Sequence, residues 1–162
     1  MERRKHWTSG VRVAHALGAE GEETDTVDTA ENKKLLQVVF AELAKGNSKP
    51  FVDHMADDFS WTITGSTAWS RKYEGKQVVL KELFGALRAR LTPPITTIAH
   101  RFIADEDYIA VEARGKNVTK DGVPYNNTYC FIIRLADGKM HELTEYLDTD
   151  LVNTTLGDPL GE

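Results

Sequence analysis

The sequence predicts an α+β fold in which three helices pack on the concave side of a curved, mostly antiparallel sheet that forms a cone. Two observations carry this prediction. Helical periodicity dominates the first half of the folded part, whereas long alternating segments without further helices fill the second half. Each predicted strand also has only one apolar face, so the sheet needs a helical cover on that side only.

The composition indicates a single globular domain. The chain has 162 residues, of which 41% are hydrophobic and 28% are charged, as is usual for such proteins. A net charge of -5 argues against a nucleic-acid partner, and no apolar run approaches the length of a membrane span. Cys130 is the only cysteine, so we expect no disulfide and no cysteine-based metal site. We therefore expect a cytoplasmic protein without nucleic-acid or membrane partners.

The two ends of the chain differ from the middle. The first residues are rich in arginine and lysine, the following ones are acidic, and no apolar period runs through them. We expect residues 1–27 to be a disordered extension, although an arginine-rich start is also typical of an organelle transit peptide. The folded domain is predicted at 28–156, followed by a tail at 157–162.

Three segments have helical apolar stripes, and they lie at 28–46, 48–58 and 77–91. Asp28 has capping-box spacing to Glu31, and Ser48 is the expected cap of the second, short helix, which carries His54. The third helix is expected to end at Pro93-Pro94, because proline cannot continue a helix.

A short strand and an aromatic loop separate the second and third helices. Phe59, Trp61 and Ile63 alternate with polar residues on the predicted strand. The loop at 64–75 carries Trp69 and Tyr73 among small, polar residues. It either folds over a pocket as a lid or buries its aromatic side chains in the core.

The remaining strands are predicted at 95–104 and 108–118 and on either side of Asp137-Gly138, an Asp-Gly hairpin signal. The phase of the segment at 95–104 is ambiguous, so His100 could face either side. A turn is expected at Asp121-Gly122.

One carboxylate falls on a face that should be buried. In the last strand Leu143, Glu145 and Leu147 share one face, and Asp148 falls on the other unless a bulge intervenes. An acid between two leucines must find a partner, stay protonated or line a cavity. For a purely structural role, His54, His100 and Tyr129 are the partners available in the sequence.

Several segments, in this order, resemble the NTF2-like superfamily and its SnoaL-like, ketosteroid-isomerase-related group. The segments are ADDFSW, YEGK, DEDYIAVE, DGVPYNNTY and ADGKMHELTEYLDTDL, and the resemblance spans roughly 28–156. It implies a conical fold with an internal pocket. The same cone carries isomerases, cyclases, dehydratases, epoxide hydrolases and non-catalytic binders, so the resemblance does not select one activity.

The resemblance also suggests which positions to compare. The three polar positions of ketosteroid isomerases are occupied here by Val39, Ile63 and Phe131, so a true steroid isomerase is not expected. The acid of polyketide cyclases near the end of the last strand corresponds to Glu145 or Asp148. The last aspartate of limonene-epoxide hydrolases also falls on Glu145.

These comparisons predict a site. Glu145 is the expected acid or base, assisted by His54 or Tyr129, and the residues expected to contact the substrate are Trp61, Ile63, Trp69, Tyr73, His100, Asn127, Phe131 and Asp148. The expected activity is an isomerase, cyclase or dehydratase reaction on a small hydrophobic, oxygenated substrate, without cofactor or metal, in a homodimer.

Two alternatives stay open. The first is a non-catalytic ligand-binding or dimerisation module. The second is epoxide hydrolysis, which would need a water molecule held between Glu145 and the amide of Asn127.

Overall fold

A computed structural model describes residues 29–161. The helices are α1 (Thr29–Leu43), α2 (Lys49–Asp53), α3 (Lys76–Val78), α4 (Phe84–Arg90) and α5 (Thr149–Thr155), and a π-helical segment (Val79–Leu83) joins α3 to α4. The strands are β1 (Met55–Ile63), β2 (Lys72–Glu74), β3 (Thr97–Asp105), β4 (Tyr108–Gly115), β5 (Asn117–Val118), β6 (Pro124–Tyr125), β7 (Thr128–Ala136) and β8 (Lys139–Leu147). None of the helices in this part of the chain is long and apolar enough to cross a membrane.

Six strands form one sheet in the order β2-β1-β8-β7-β4-β3, and β5 and β6 form a separate two-stranded ribbon. All neighbours in the large sheet are antiparallel except β1 and β8, which are parallel. The predicted α+β fold with a mostly antiparallel sheet is therefore confirmed. The parallel pair brings the first long strand beside the last one, although they are far apart in the sequence.

The helix α1 packs against the inner face of the sheet. Its buried residues are Leu36, Val39 and Phe40. The ring of Phe40 lies 5.9 Å from that of Phe102 on β3 and 5.8 Å from that of Phe131 on β7. These contacts bury the apolar stripe of α1. An isolated helix of this length is only marginally stable in water, so packing on the sheet stabilises it.

The hairpin between β7 and β8 has the predicted two-residue turn. Asp137 and Gly138 have φ angles of 51° and 68°, as a type I′ turn requires. The ladder that follows pairs Phe131 with Glu145. A bulge between Arg134 and Leu135 shifts the register between the turn and this pair, so the turn and the bulge together place Glu145 opposite Phe131.

The second helix is shorter than predicted. It ends at Asp53 rather than near residue 58, because Met55 already pairs with Met140 of β8 and the Met140 amide donates to the His54 carbonyl at 2.7 Å. Ser48 occupies the position before the helix, but its side chain makes no capping hydrogen bond. The predicted cap Asp28 lies outside the described residues.

The aromatic loop packs into the molecule instead of covering it as a lid. Part of the loop forms β2, which pairs with β1. Trp69 and Tyr73 are 2% and 1% exposed, and the Tyr73 hydroxyl donates to the Trp69 carbonyl at 3.2 Å. Of the two alternatives for this loop, the structure shows burial in the core.

A bulge explains the ambiguous phase of β3. Its register against β4 shifts between Ala99 and Arg101. Ala99 before the bulge and Phe102 after it both pack on the core, so neither alternation holds through the whole strand. The fifth helix, α5, was not predicted at all.

Two adjacent valines in α1 test which face of this helix is buried. Val39 is 1% exposed and Val38 is 59% exposed. Val39→Ala should lower the free energy of unfolding by about 2 kcal/mol, because two buried methyl groups and their packing are lost. Val38→Ala should change it by less than about 0.5 kcal/mol. Urea denaturation measures both, and equal effects would contradict the assignment of the buried face.

Candidate functional site

A cavity of about 300 Å³ lies inside the cone, and most of its wall is apolar. Its wall is formed by residues of the helices α1, α2, α4 and α5, of the π-helical segment, of the strands β1, β3, β5, β6, β7 and β8, and of the loops between them. The exposed residues that border it are Ser48, Arg88, Pro93 and Pro94. Such a cavity suits a small, mostly apolar molecule.

Glu145 lies in this wall and is 7% exposed. The indole Nε1 of Trp61 donates a hydrogen bond to its Oε2 at 2.8 Å. Ile63 of β1 pairs with Glu145 in the parallel ladder between β1 and β8. The amide and the hydroxyl of Thr64 both donate to the Glu145 carbonyl, at 3.0 and 2.9 Å. Both the backbone and one carboxylate oxygen of Glu145 are therefore fixed in place.

The other carboxylate oxygen, Oε1, is free to meet a ligand. Within residues 29–161, Trp61 is the one hydrogen-bond donor to this carboxylate. No fully buried side-chain oxygen or nitrogen of the described residues lacks a partner, so Oε1 must reach open space. Because Glu145 lines the cavity, that space is the cavity.

Burial changes the acidity of Glu145. Removal from water raises its pKa from an ordinary 4.5 to about 7, and the hydrogen bond from Trp61 opposes part of this rise. Near neutral pH the side chain is therefore divided between the acid and the carboxylate. It can both donate and accept a proton at Oε1.

Five of the predicted side chains line the same cavity as Glu145, and they are Trp61, Ile63, Trp69, Tyr129 and Phe131. The rings of Tyr129 and Phe131 stack at 5.2 Å, and the Trp61 ring meets Phe131 edge-on at 6.2 Å. Aromatic walls of this kind are suited to a flat or ring-bearing ligand.

Neither predicted histidine joins this set. The Nδ1 atom of His54 lies 2.7 Å from the Pro50 carbonyl at the end of α2, and His54 is not part of the cavity wall. His100 is exposed beside the bulge of β3, where its Nε2 lies 3.6 Å from Glu112. A proton relay between Glu145 and a histidine therefore has no geometric support.

Asn127, Asp148 and Tyr73 also lie away from the cavity wall. The buried amide of Asn127 binds the backbone of Asp148 in both directions at 3.0 Å. The carboxylate of Asp148 caps α5 by accepting from the amides of Asp150 and Leu151. Tyr73 is buried in the core, with its hydroxyl on the Trp69 carbonyl. Geometry thus separates Glu145 from Asp148, as strict alternation required.

Other wall residues were not predicted. They include Phe84 and Arg88 of α4, Tyr125 of β6, Val152 of α5 and Leu156, the residue that follows α5. The last two have the i, i+4 spacing of a helix face and follow a good N-cap residue, Asp148, so this signal was present in the sequence. No group of three or more His, Cys, Asp or Glu side chains in residues 29–161 is arranged to hold a metal ion.

The raised pKa of Glu145 predicts how stability depends on pH. Below pH 4.5 both states hold the proton, whereas between 4.5 and about 7 only the folded state does. The stability of the wild type relative to Glu145→Gln should therefore fall by about 3 kcal/mol as the pH rises through this range, and then level off.

Denaturant unfolding of both proteins from pH 4 to 8 measures this difference. Glu142→Gln, which changes an exposed carboxylate on the same strand, is the matched control and should lack this fall. Parallel curves for the wild type and Glu145→Gln would show that Glu145 titrates normally.

Solved structures share this fold at low sequence identity. A candidate SnoaL-like polyketide cyclase from Jannaschia sp. CCS1 is 16% identical, with a TM-score of 0.65 over 85% of this chain and 98% of that one. A candidate isomerase from Bacillus subtilis is 15% identical, with a TM-score of 0.66 over 80% and 96%. An LEH-like epoxide hydrolase from M. tuberculosis is 16% identical, with a TM-score of 0.63 over 80% and 91%. At this identity the likeness shows the fold alone.

The sequence itself carries the assignment to a family. No match was found among curated proteins. The family model for the SnoaL-like domain matches residues 36–143, which is about two thirds of the chain. The match begins in the middle of α1, includes all strands up to the middle of β8 and most of the cavity wall, and ends two residues before Glu145. The chain belongs to the SnoaL-like domain family.

Proposed function

We propose that the protein is a cofactor-free enzyme that isomerises, cyclises or dehydrates a small hydrophobic, oxygenated substrate, with Glu145 as the proton-transferring residue. One observation carries the proposal: a buried carboxylate has one oxygen fixed by Trp61 and the other directed at an apolar cavity. The three reactions share one requirement, which is the movement of a proton to or from a bound molecule.

The environment of Glu145 matches this requirement. Acid-base catalysis is most effective when the pKa of the group lies near the working pH, and burial raises the pKa of Glu145 to about 7. The indole of Trp61 restricts rotation of the carboxylate, so that Oε1 keeps one orientation toward the ligand. The carboxylate would take a proton from the substrate, and the resulting acid would return it to another atom.

Tyr129 is the helper that this geometry favours. It lines the cavity with Glu145, whereas His54 does not. The positions that are polar in steroid isomerases hold Val39, Ile63 and Phe131, which are all buried and apolar. We therefore do not propose steroid isomerisation. We also do not propose epoxide hydrolysis, because the amide of Asn127 is occupied by Asp148 and cannot hold a water molecule beside Glu145.

A non-catalytic ligand-binding role is the second candidate. Glu145 is the one carboxylate in the described part of the cavity wall, and no histidine lies beside it there. A single acid that is hydrogen-bonded to Trp61 would also serve to bind a polar group of a ligand. The two candidates differ in whether the bound molecule changes.

We further propose a homodimer that forms through the outer face of the sheet. Ile103 of β3 is 55% exposed and Tyr146 of β8 is 52% exposed on this face. Ile103, Ala110 of β4 and Ile132 of β7 form one row across the sheet, and this row continues to Thr144 of β8, two residues from Tyr146. A second copy of the chain would cover this apolar row. The expected cytoplasmic location stays a prediction.

The catalytic proposal predicts that replacing the carboxylate of Glu145 with an amide strongly lowers kcat/KM. Mass spectrometry of the purified protein under native conditions would first identify compounds that stay bound, and these would be tested for conversion. Glu145→Gln should lower kcat/KM at least 10²-fold, because the amide cannot transfer a proton at neutral pH. Glu142→Gln should leave kcat/KM unchanged.

The pH profile separates chemistry from binding. In the wild type, kcat/KM should inflect near pH 7. A bound compound that Glu145→Gln converts at the wild-type rate would refute the catalytic role. A bound compound that neither protein converts would favour the ligand-binding role.

The dimer proposal predicts a change in mass. Sedimentation equilibrium of the wild type should give twice the chain mass of 18.1 kDa. Ile103→Glu should shift the protein toward the monomer, because a charge in an apolar interface must be desolvated. Val38→Glu, at a similarly exposed site on α1, is the control and should stay dimeric. A monomeric wild type would refute the proposal.

A further inference from the structure

We propose that the hydroxyl pair of Tyr125 and Tyr129 forms a second polar subsite in the cavity, which binds a hydrogen-bond acceptor oxygen of the ligand. The ligand class that this subsite selects is a compact apolar compound with a carbonyl oxygen separate from the atom that meets Glu145. The inference deepens the proposed function and rests on it for the ligand's position in this cavity.

Both tyrosines line the cavity, from different elements. Tyr125 belongs to β6 and is 3% exposed, and Tyr129 belongs to β7 and is partly buried. Gly115 of β4 leaves room for the second ring, since a Cβ atom at this position would lie 3.4 Å from the Tyr129 hydroxyl and 2.9 Å from the amide nitrogen of Asn117. The absence of a side chain at Gly115 therefore permits the hydroxyl to occupy this position.

Asn127 fixes the orientation of the pair. Its Oδ1 accepts from the Asp148 amide at 3.0 Å, and its Nδ2 donates to the Asp148 carbonyl at 3.0 Å. These two backbone contacts determine which end of the amide is the donor. The same Nδ2 also donates to the Tyr125 hydroxyl at 3.2 Å. The Tyr125 oxygen is thus an acceptor toward Asn127, and its own proton is not used there.

One hydroxyl proton of Tyr125 and Tyr129 has no acceptor in the described part of the protein. The hydroxyls of Tyr125 and Tyr129 carry one proton each, and a hydrogen bond between the two oxygens could use at most one of these protons. Asn127 supplies its own hydrogen to Tyr125. Within residues 29–161 neither hydroxyl donates to any other protein acceptor, so one O–H of the pair stays unused. Because both side chains line the cavity, a ligand oxygen there is the natural acceptor.

The pair keeps its protons under the conditions in which Glu145 titrates. Burial raises the pKa of both tyrosines, and the negative charge of Glu145 raises each further. In the β7–β8 ladder Phe131 pairs with Glu145, and Tyr129 pairs with Leu147. Tyr129 and Glu145 are therefore diagonal neighbours, about 7–8 Å apart along the sheet. A ligand that contacts both the tyrosine hydroxyls and Glu145 therefore needs an acceptor oxygen that is separate from its reacting atom.

A pair of probes with similar shape tests this subsite. 2-Acetylnaphthalene offers a carbonyl oxygen, and 2-ethylnaphthalene replaces it with hydrogens. Binding to the wild type and to the double variant Tyr125→Phe/Tyr129→Phe would be measured by quenching of tryptophan fluorescence, since Trp61 and Trp69 line the cavity. A pH of 8.5 keeps Glu145 ionised, so that it cannot donate to the ketone.

The preference of the wild type for the ketone over the hydrocarbon should fall about fivefold in the double variant, as expected for one lost neutral hydrogen bond. Affinity for 2-ethylnaphthalene should stay within about twofold, which shows that the cavity is intact. The infrared carbonyl band of the bound ketone should lie at lower frequency in the wild type than in the double variant.

An unchanged preference, an unshifted carbonyl band in the wild type, or failure of the wild type to bind either probe would overturn the proposal. The probes report binding without turnover. Loss of catalysis in Glu145→Gln and loss of carbonyl selection in the tyrosine variant are therefore separate results, and either proposal can fail alone.

Discussion

The hydrogen bond from Trp61 to Glu145 is the constraint on which the rest of the site depends. The two residues are 84 positions apart, and the parallel pairing of β1 with β8 brings them together. A buried carboxylate without any donor would be costly, and one with several donors would be a strong acid. A single indole donor leaves Glu145 between these limits, with one oxygen bound and one directed at the cavity.

The ends of β7 and β8 supply the second half of the site. Asn127 ties the start of one strand to the end of the other through the Asp148 backbone, while the carboxylate of Asp148 starts α5. This junction closes one side of the cavity with Val152 and holds Tyr125 in place. Asn127 and Asp148, which the sequence predicts to contact the substrate, thus support other residues that face the cavity.

Local signals in the sequence accounted for much of this arrangement. Alternation along the last strand predicted Glu145 on the inner face, because it depends only on neighbouring residues. The choice between Glu145 and Asp148 stayed open in the sequence, because a bulge would reverse it, and the bulge of this ladder lies nearer the turn than Glu145. The positions of His54 and His100 depend on where α2 gives way to β1 and on the bulge of β3. Both features depend on pairing with strands that are distant in the sequence. Periodicity along a single segment carries no information about such pairing.

The pKa of Glu145 determines whether this residue can transfer a proton near neutral pH, and it can be measured directly. With ¹³C-labelled glutamate, the carboxyl resonance of Glu145, assigned by its loss in Glu145→Gln, would be followed by NMR from pH 4 to 9. The midpoint should lie at about 7, and it should rise further in Trp61→Phe because the indole donor that opposes the shift is lost. A midpoint near the ordinary value of 4.5 would contradict this role in proton transfer, since Glu145 would then be a carboxylate throughout the neutral range.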